Sequence, residues 1–154
     1  MDNRVWRYPT ATAQAYLDND ISIITISGVV TPSVASRILA DNAEWLASSG
    51  ALAQVASYQG SVIAITPDAL LSSALEFVDH GLSAPTALLV TPDQHGVVDH
   101  YCSLMAMQGI CRAPALNWDR ALSWAQRQAR VTLQRRDEFR SSAWGRGPTS
   151  HQGS

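Results

Sequence analysis

The sequence predicts a single α/β domain: a mainly parallel sheet of four to five strands, with an N-terminal antiparallel hairpin and about four helices. The chain has 154 residues, 46% of them hydrophobic, which suits one domain with one core. The stretches ISGVVTPSV (26–34), VIAITPDAL (62–70) and ALLVTPDQH (87–95) each pass from an apolar run into Thr-Pro. Strands that alternate with helices form parallel sheets, with right-handed crossover helices that cover both faces.

A hairpin is expected first, over residues 13–28. The turn Asp18-Asn19-Asp20 separates AQAYL from ISIITISG, two stretches of alternating or β-branched residues. Asp and Asn tolerate the positive φ angles of tight turns. Gly28 is expected to end or bulge the second strand. Residues 1–11 have mixed polarity and are expected to form a loose lead-in.

The three Thr-Pro dipeptides predict strand-to-helix junctions at Thr31, Thr66 and Thr91. A threonine hydroxyl at the N-cap accepts a hydrogen bond from a free helix N–H, and proline suits the first turn because its missing N–H has no partner there. Asp68 and Asp93 place negative charge at the positive end of the helix dipole. If the strands are parallel, all three junctions open on one rim of the sheet.

Helical spacing predicts one buried face on each helix. The first three helices should end at Gly50, Gly81 and Gly109. After a short strand within ICRAPAL, Asn117 should cap the fourth helix. The stretch 51–66 is either one bent strand or two short ones. The expected inner faces are Val34, Ala35, Ile38, Leu39, Trp45 and Leu46; then Leu70, Leu71, Ala74, Leu75 and Val78; then Val97, Val98, Tyr101, Leu104 and Met105; and finally Trp118, Leu122, Ala125 and Ala129.

Charge is unevenly spread along the chain. All eleven basic side chains are arginine, and eight of them lie in residues 112–146. We therefore divide the chain into a loose segment at 1–11, a domain at 12–134 and a basic, disordered tail at 135–154. The tail is either solvated or docked on an acidic partner. Nucleic acid is not expected as a partner, because no recognised binding motif or aromatic platform accompanies the arginines.

The sequence also predicts a cytoplasmic protein without membrane association. No apolar stretch approaches the ~18 residues of a membrane span, and the first residues do not form a basic region followed by an apolar one. Cys102 and Cys111 are expected to be free thiols in a reducing compartment.

The order of elements and the segment MAMQGICRAPALNWDRALSWA (105–125) resemble STAS-like domains related to bacterial anti-sigma-factor antagonists, over residues 12–130. The resemblance implies a mixed sheet, no cofactor, and function through protein contact or small-ligand sensing. In those antagonists a phosphorylatable serine opens the second helix beside a second serine and a glycine. The matching place here reads Thr66-Pro67-Asp68-Ala69-Leu70, so Thr66 offers the hydroxyl; Ser72 and Ser73 lie a turn further along.

Catalytic and metal chemistry find little support in the sequence. His95 and Asp99 are four residues apart and share a helix face, but a metal would need further ligands, and the spacing selects none. Asp79 and His80 are adjacent, so their side chains point in different directions on a helix. No serine lies in a Gly-x-Ser-x-Gly elbow. We predict no metal and no catalytic residue.

These observations favour a non-catalytic cytoplasmic interaction or regulatory module of STAS-like type, which binds a protein partner or a second copy of itself. The predicted partner or ligand site consists of Thr66, Asp68, Thr91, Asp93 and Trp124. Trp124 lies off the main apolar stripe of the last helix and would anchor a partner if exposed. The alternatives are a binder of a small apolar ligand, with its pocket on the rim, and a small hydrolase.

Overall fold

The computed structural model describes the backbone of residues 3–152 and the side chains of residues 3–142. It confirms the α/β class, with a sheet of six strands. In chain order the elements are β1 Arg4–Arg7, β2 Ala11–Asp18, β3 Ile21–Val30, α1 Pro32–Ser49, β4 Ala53–Ile63, α2 Pro67–Leu75, a 3-10 turn at Val78–His80, β5 Thr86–Leu89, α3 Pro92–Met107, β6 Arg112–Ala115 and α4 Trp118–Gln152.

The predicted hairpin is formed by β2 and β3, and Asn19 takes the positive φ of 55° at its turn. Gly28 does not end the strand: it pairs with Ala11 at a φ of 100°, and β3 continues to Val30. The segment expected to be a loose lead-in supplies β1, which pairs antiparallel with β2. The structure thus adds a strand that the sequence analysis did not include.

Strand order in the sheet follows chain order from β1 to β6, and β3 to β6 run parallel. Right-handed crossovers that always advance in one direction place α1, α2 and α3 on the same face. The opposite face is covered by α4, which contacts β3, β4, β5 and β6. Helices therefore cover both faces, as predicted, and two cores lie on either side of the sheet.

For the stretch 51–66 the sequence allowed either one bent strand or two short ones, and the structure has one strand. A register shift lies where Thr25 pairs with Ser57 and Ser27 pairs with Gly60, so β4 carries one extra residue. A β-bulge accommodates such a residue without ending the strand. The end of β5, Leu89, is level with Ser57, so β3 and β4 continue past it. We call residues 27–30 and 60–63 the projecting ribbon.

A buried polar network joins α1 to the sheet. The side-chain amides of Asn42 and Gln54 exchange hydrogen bonds of 2.9 and 2.8 Å. The hydroxyl of Ser22 accepts from Gln54 Nε2 and from Trp45 Nε1, both at 2.9 Å. Every member therefore has a partner inside the protein, which is what burial of polar groups requires.

The predicted inner face of α1 is buried throughout, whereas the other three faces differ in part. On α2 only Ala74 is buried, and Leu75 is exposed. On α3 Val97 is exposed, whereas Cys102 is buried. On α4 Trp118 is exposed, and three alanines four residues apart form the contact with the sheet. These are Ala121, Ala125 and Ala129.

The ends of the helices follow the predicted glycines with one change. Gly50 and Gly109 have positive φ angles of 74° and 76° directly after α1 and just beyond α3. The second helix ends earlier, at Leu75, and the 3-10 turn precedes Gly81.

Instead of the predicted disordered tail, α4 continues through Gln152. Its described residues 133–141 are exposed. Leu, Gln, Arg and Glu favour helix intrinsically, so this stretch continues the helix without burying a face. Among the helices described between residues 3 and 152, none combines the length and apolar composition needed to cross a bilayer.

Candidate functional site

The three predicted junctions are N-caps at the carboxyl ends of parallel strands. The hydroxyls of Thr31, Thr66 and Thr91 accept hydrogen bonds from helix N–H groups at 3.4, 3.2 and 3.3 Å. Each threonine has an extended backbone and precedes a proline in the first helical turn. We call this end of the sheet the rim.

Four of the five predicted site residues lie on the rim. Thr66, Asp68 and Asp93 are exposed, and Thr91 is half-buried. Because the projecting ribbon extends past β5, the rim is stepped: Thr66 and Asp68 follow the ribbon, whereas Thr91 and Asp93 follow the shorter strand. The Oγ atoms of the two threonines accept helix N–H groups, and the two carboxylates supply the negative charge of this site.

Gln94 holds the start of α3 against β4, a role that was not predicted from the sequence. Its side chain accepts from Thr91 N at 3.0 Å, which completes a capping box. Its Nε2 also donates to the carbonyl oxygens of Tyr58 and Ser61, both at 2.8 Å. The Thr-x-x-Gln spacing is the signal that could have revealed the capping box.

The projecting ribbon presents two valines to solvent. Val29 and Val62 are register partners on neighbouring strands, with 39% and 62% of their surface exposed. Cross-strand partners point to the same side of a sheet, so the two side chains form one apolar patch.

Trp124 lies in a groove of about 800 Å³ between β6 and α4, which reaches the rim at Leu116 and Asn117. Its indole is half-buried and packs against the core under α4. The groove is lined by Ala87, His95, Ala113, Pro114, Ala115, Leu116, Asn117, Asp119, Arg120, Ser123, Trp124 and Arg127. None of the four rim residues of the predicted site belongs to this lining, so the predicted set divides between two places.

The pairs considered for catalysis or metal binding are not assembled into a site. His95 lines the groove, whereas Asp99 is exposed outside its lining. Asp79 and His80 are exposed on the 3-10 turn. Within the described part of the chain, no three His, Cys, Asp or Glu side chains gather closely enough to hold a metal ion.

The guanidinium of Arg112 donates hydrogen bonds to three main-chain carbonyl oxygens. Its Nη1 donates to Ala84 at 2.8 Å and to Cys111 at 3.0 Å, and its Nη2 donates to Leu82. Burial lowers the pKa of Arg112, and nearby Tyr101 acts in the opposite direction.

Cys102 is a buried thiol near this guanidinium. Burial raises its pKa to about 12, although the charge of Arg112 acts to lower it. The thiol is therefore protonated at neutral pH and is a poor nucleophile. Cys111 is exposed, and both cysteines are unpaired.

We expect the protein to lose stability in alkali, because burial raises the pKa of Tyr58 and Tyr101 as well as that of Cys102. The unfolded chain releases these protons near pH 8.5 for cysteine and near pH 10 for tyrosine, whereas the folded protein keeps them. The free energy of unfolding is therefore undiminished below about pH 8. It then falls by about 1.4 kcal/mol per pH unit for each group that has passed its unfolded pKa.

Urea denaturation at intervals from pH 7 to 11 measures this loss. Tyr101→Phe removes one of the titrating groups, so its free energy of unfolding should fall less steeply above pH 10 than that of the wild type. Equal slopes for the two proteins would contradict the assignment.

Comparison with known proteins bears on the fold. No protein family and no curated protein matches this chain. Among solved structures it is similar to the crystal structure of an anti-sigma factor antagonist from Mycobacterium paratuberculosis, with a TM-score of 0.51 and 14% sequence identity. The match covers 79% of this chain and 99% of the other. The resemblance predicted from the sequence is thus confirmed in three dimensions: this chain has the STAS-like α/β fold of an anti-sigma factor antagonist.

Proposed function

We propose that this chain is a non-catalytic, cytoplasmic regulatory module that binds a partner protein through its rim. The fold supports this proposal, since its structural neighbour is named for antagonism of another protein, an anti-sigma factor. The module needs no cofactor. Its contact surface comprises the projecting ribbon together with Thr66, Asp68, Thr91 and Asp93.

The observation that carries the proposal is the apolar patch of Val29 and Val62 on the ribbon. The carboxylates of Asp68 and Asp93 lie at the helix starts of the same rim. An apolar centre with a polar margin is the usual composition of a protein interface. The patch is small, which suits a transient regulatory contact rather than a permanent assembly.

The alternatives from the sequence receive less support. An apolar-ligand binder would be favoured by a closed apolar cavity, but arginine, histidine and aspartate side chains are part of the lining of the 800 Å³ groove. A hydrolase would be favoured by an acid and a base that converge on a nucleophile. The pairs His95/Asp99 and Asp79/His80 lie outside any such arrangement.

Site-specific photocrosslinking in the native cells tests the rim. A benzophenone amino acid at Val62 should yield one discrete adduct with the partner protein. The same probe at Val5, which is 55% exposed on β1 away from the rim, should not. An adduct at the mass of two 16.6-kDa chains would identify a second copy as the partner.

Charge reversal provides the second arm of this experiment. We expect Asp68→Arg to reduce the Val62 adduct about tenfold or more, because reversing one rim charge replaces attraction by repulsion at a charged partner surface. Asp99→Arg is the matched control on the exposed side of α3 and should leave the adduct unchanged. Equal crosslinking from Val5 and Val62, or no adduct from Val62, would exclude the rim as the contact surface.

A further inference from the structure

The helix α4 has two neighbouring rows of side chains near the sheet, one buried and one along the groove. Its three buried alanines rest on the sheet, and small side chains allow the helix to lie close to it. Along its flank, Arg120, Trp124 and Arg127 follow the spacing i, i+4, i+7, which places them on one side of a helix. All three line the groove beside β6.

The floor of the groove consists of short side chains. Ala87 and Ala113 are register partners on β5 and β6, and Ala115 continues the same side of β6. Ala87 is fully buried, so the accessible part of the floor is formed by Ala113 and Ala115, whose short side chains leave room for a flat group beside Trp124. The volume of about 800 Å³ lies within the ~300–1,000 Å³ that is usual for small-molecule sites.

The backbone of β6 argues against an added peptide strand as the occupant. The carbonyl oxygens of Cys111 and Ala115 accept hydrogen bonds from the N–H groups of Thr86 and Val90, at 3.1 and 2.9 Å. Residues alternate along a strand, so Arg112 and Pro114 turn their backbone groups to the open edge. Pro114 has no N–H to donate there, which interrupts any new ladder. Addition of a peptide strand at this edge of the sheet is therefore disfavoured.

The wall of the groove specifies the chemistry of that molecule. Trp124 is held by the core under α4, so its indole is a fixed aromatic surface. Arg120 and Arg127 stand about 10 Å apart along the helix axis, one on each side of the indole. Guanidinium groups bind carboxylates through two parallel hydrogen bonds. Asp119 is the one carboxylate in the lining, so the arginines leave the groove with a positive excess.

We propose that this groove binds a planar aromatic carboxylate. The ring packs on the exposed part of the Trp124 indole beside Ala113 and Ala115, and the carboxylate binds the guanidinium of Arg120 or Arg127. This ligand site is lined by none of the predicted rim residues and by no residue of the projecting ribbon. Its failure in a test would therefore leave the proposed partner surface untouched.

Titration with 2-naphthoate, followed by the NMR signal of the Trp124 indole N–H, tests the site in the full-length protein. We expect saturable binding of one molecule per chain, with a Kd of about 1 mM or tighter for a ligand of this size. Of the two variants Arg120→Gln and Arg127→Gln, the one that removes the guanidinium bound to the carboxylate should weaken binding about tenfold. Arg130→Gln should not, because Arg130 is exposed on the same helix but outside the groove.

Two further probes act on the wild-type protein and do not depend on the stability of any variant. The neutral analogue 2-naphthamide should bind about tenfold more weakly than 2-naphthoate, because it lacks the charge that the arginines recognise. Inorganic phosphate should not displace 2-naphthoate at equal concentration. Equal binding of the amide, displacement by phosphate, an unshifted Trp124 signal, or equal loss with Arg130→Gln would each overturn the proposal.

Discussion

Gly28→Ala is expected to lower the free energy of unfolding by about 3 kcal/mol or more. A Cβ atom at this position would lie 2.4 Å from the carbonyl oxygen of Thr10 and 2.8 Å from the Cα of Ala11. Both are main-chain atoms at the start of β2, so they cannot move aside as a flexible side chain would. The φ of 100° adds strain of about 1–3 kcal/mol for a residue with a side chain.

Two other glycines separate the clash from the backbone strain. Gly50 has a φ of 74°, and a Cβ atom there would contact nothing within 4 Å, so Gly50→Ala should cost about 1 kcal/mol from strain alone. Gly96 lies within α3 with open space around it, and Gly96→Ala should stabilise the protein by about 0.5–1 kcal/mol. Urea denaturation of all three variants measures the series. A wild-type midpoint for Gly28→Ala would show that residues 10–11 yield easily.

Gln54→Leu is expected to lower the free energy of unfolding by about 3 kcal/mol. Gln54 is 1% exposed and is the member of the buried network that bonds to both Asn42 and Ser22. Leucine has a similar volume, so little cavity forms. The loss comes from the amide of Asn42, whose donor and acceptor would remain buried without partners, at about 1–3 kcal/mol for each group.

The double variant Asn42→Leu, Gln54→Leu provides the control for this reasoning. Removing both amides leaves no orphaned pair, so the double variant should be more stable than the sum of the two single changes predicts. A coupling free energy of about 1–3 kcal/mol in the double-mutant cycle is expected. Strictly additive losses would mean that the two amides do not depend on each other.

The parts of the fold that were predictable from sequence are those with a local cause. Each N-cap and its proline are adjacent, so Thr31, Thr66 and Thr91 marked the helix starts correctly. The inner face of α1 was equally predictable, because large apolar residues such as Ile38 and Leu46 repeat at helical spacing. The turn at Asn19 also needs only its own neighbours.

The parts that were missed depend on distant contacts. Arg4–Arg7 is too short to predict a strand by itself, although Val5 and Trp6 favour one, because β1 depends on its pairing with β2. Alanines carry little hydrophobic signal, so the seam centred on Ala125 was only partly recognised, and Trp118 was placed inside in error. The extra residue of β4 is a property of its pairing with β3.

The two candidate sites differ in the same way: one has local causes, and the other depends on distant contacts. The rim followed from three local junctions and the parallel sheet. The groove did not, because it requires the packing of α4 beside β6. One signal was present: Arg120, Ser123, Trp124 and Arg127 repeat at i, i+3, i+4 and i+7, the spacing of a helix face, but in polar and aromatic residues.

The order of the strands has a consequence for how the chain is made. Every ladder joins a strand to the one synthesised just before it, so each can close as soon as its second strand leaves the ribosome. One face of the sheet has to wait longer for its packing partner. Ile23, Val55 and Leu89 lie on the face that α4 covers, and α4 is synthesised last. Nascent chains that stop before Ala121 therefore present a bare apolar sheet to chaperones and to one another.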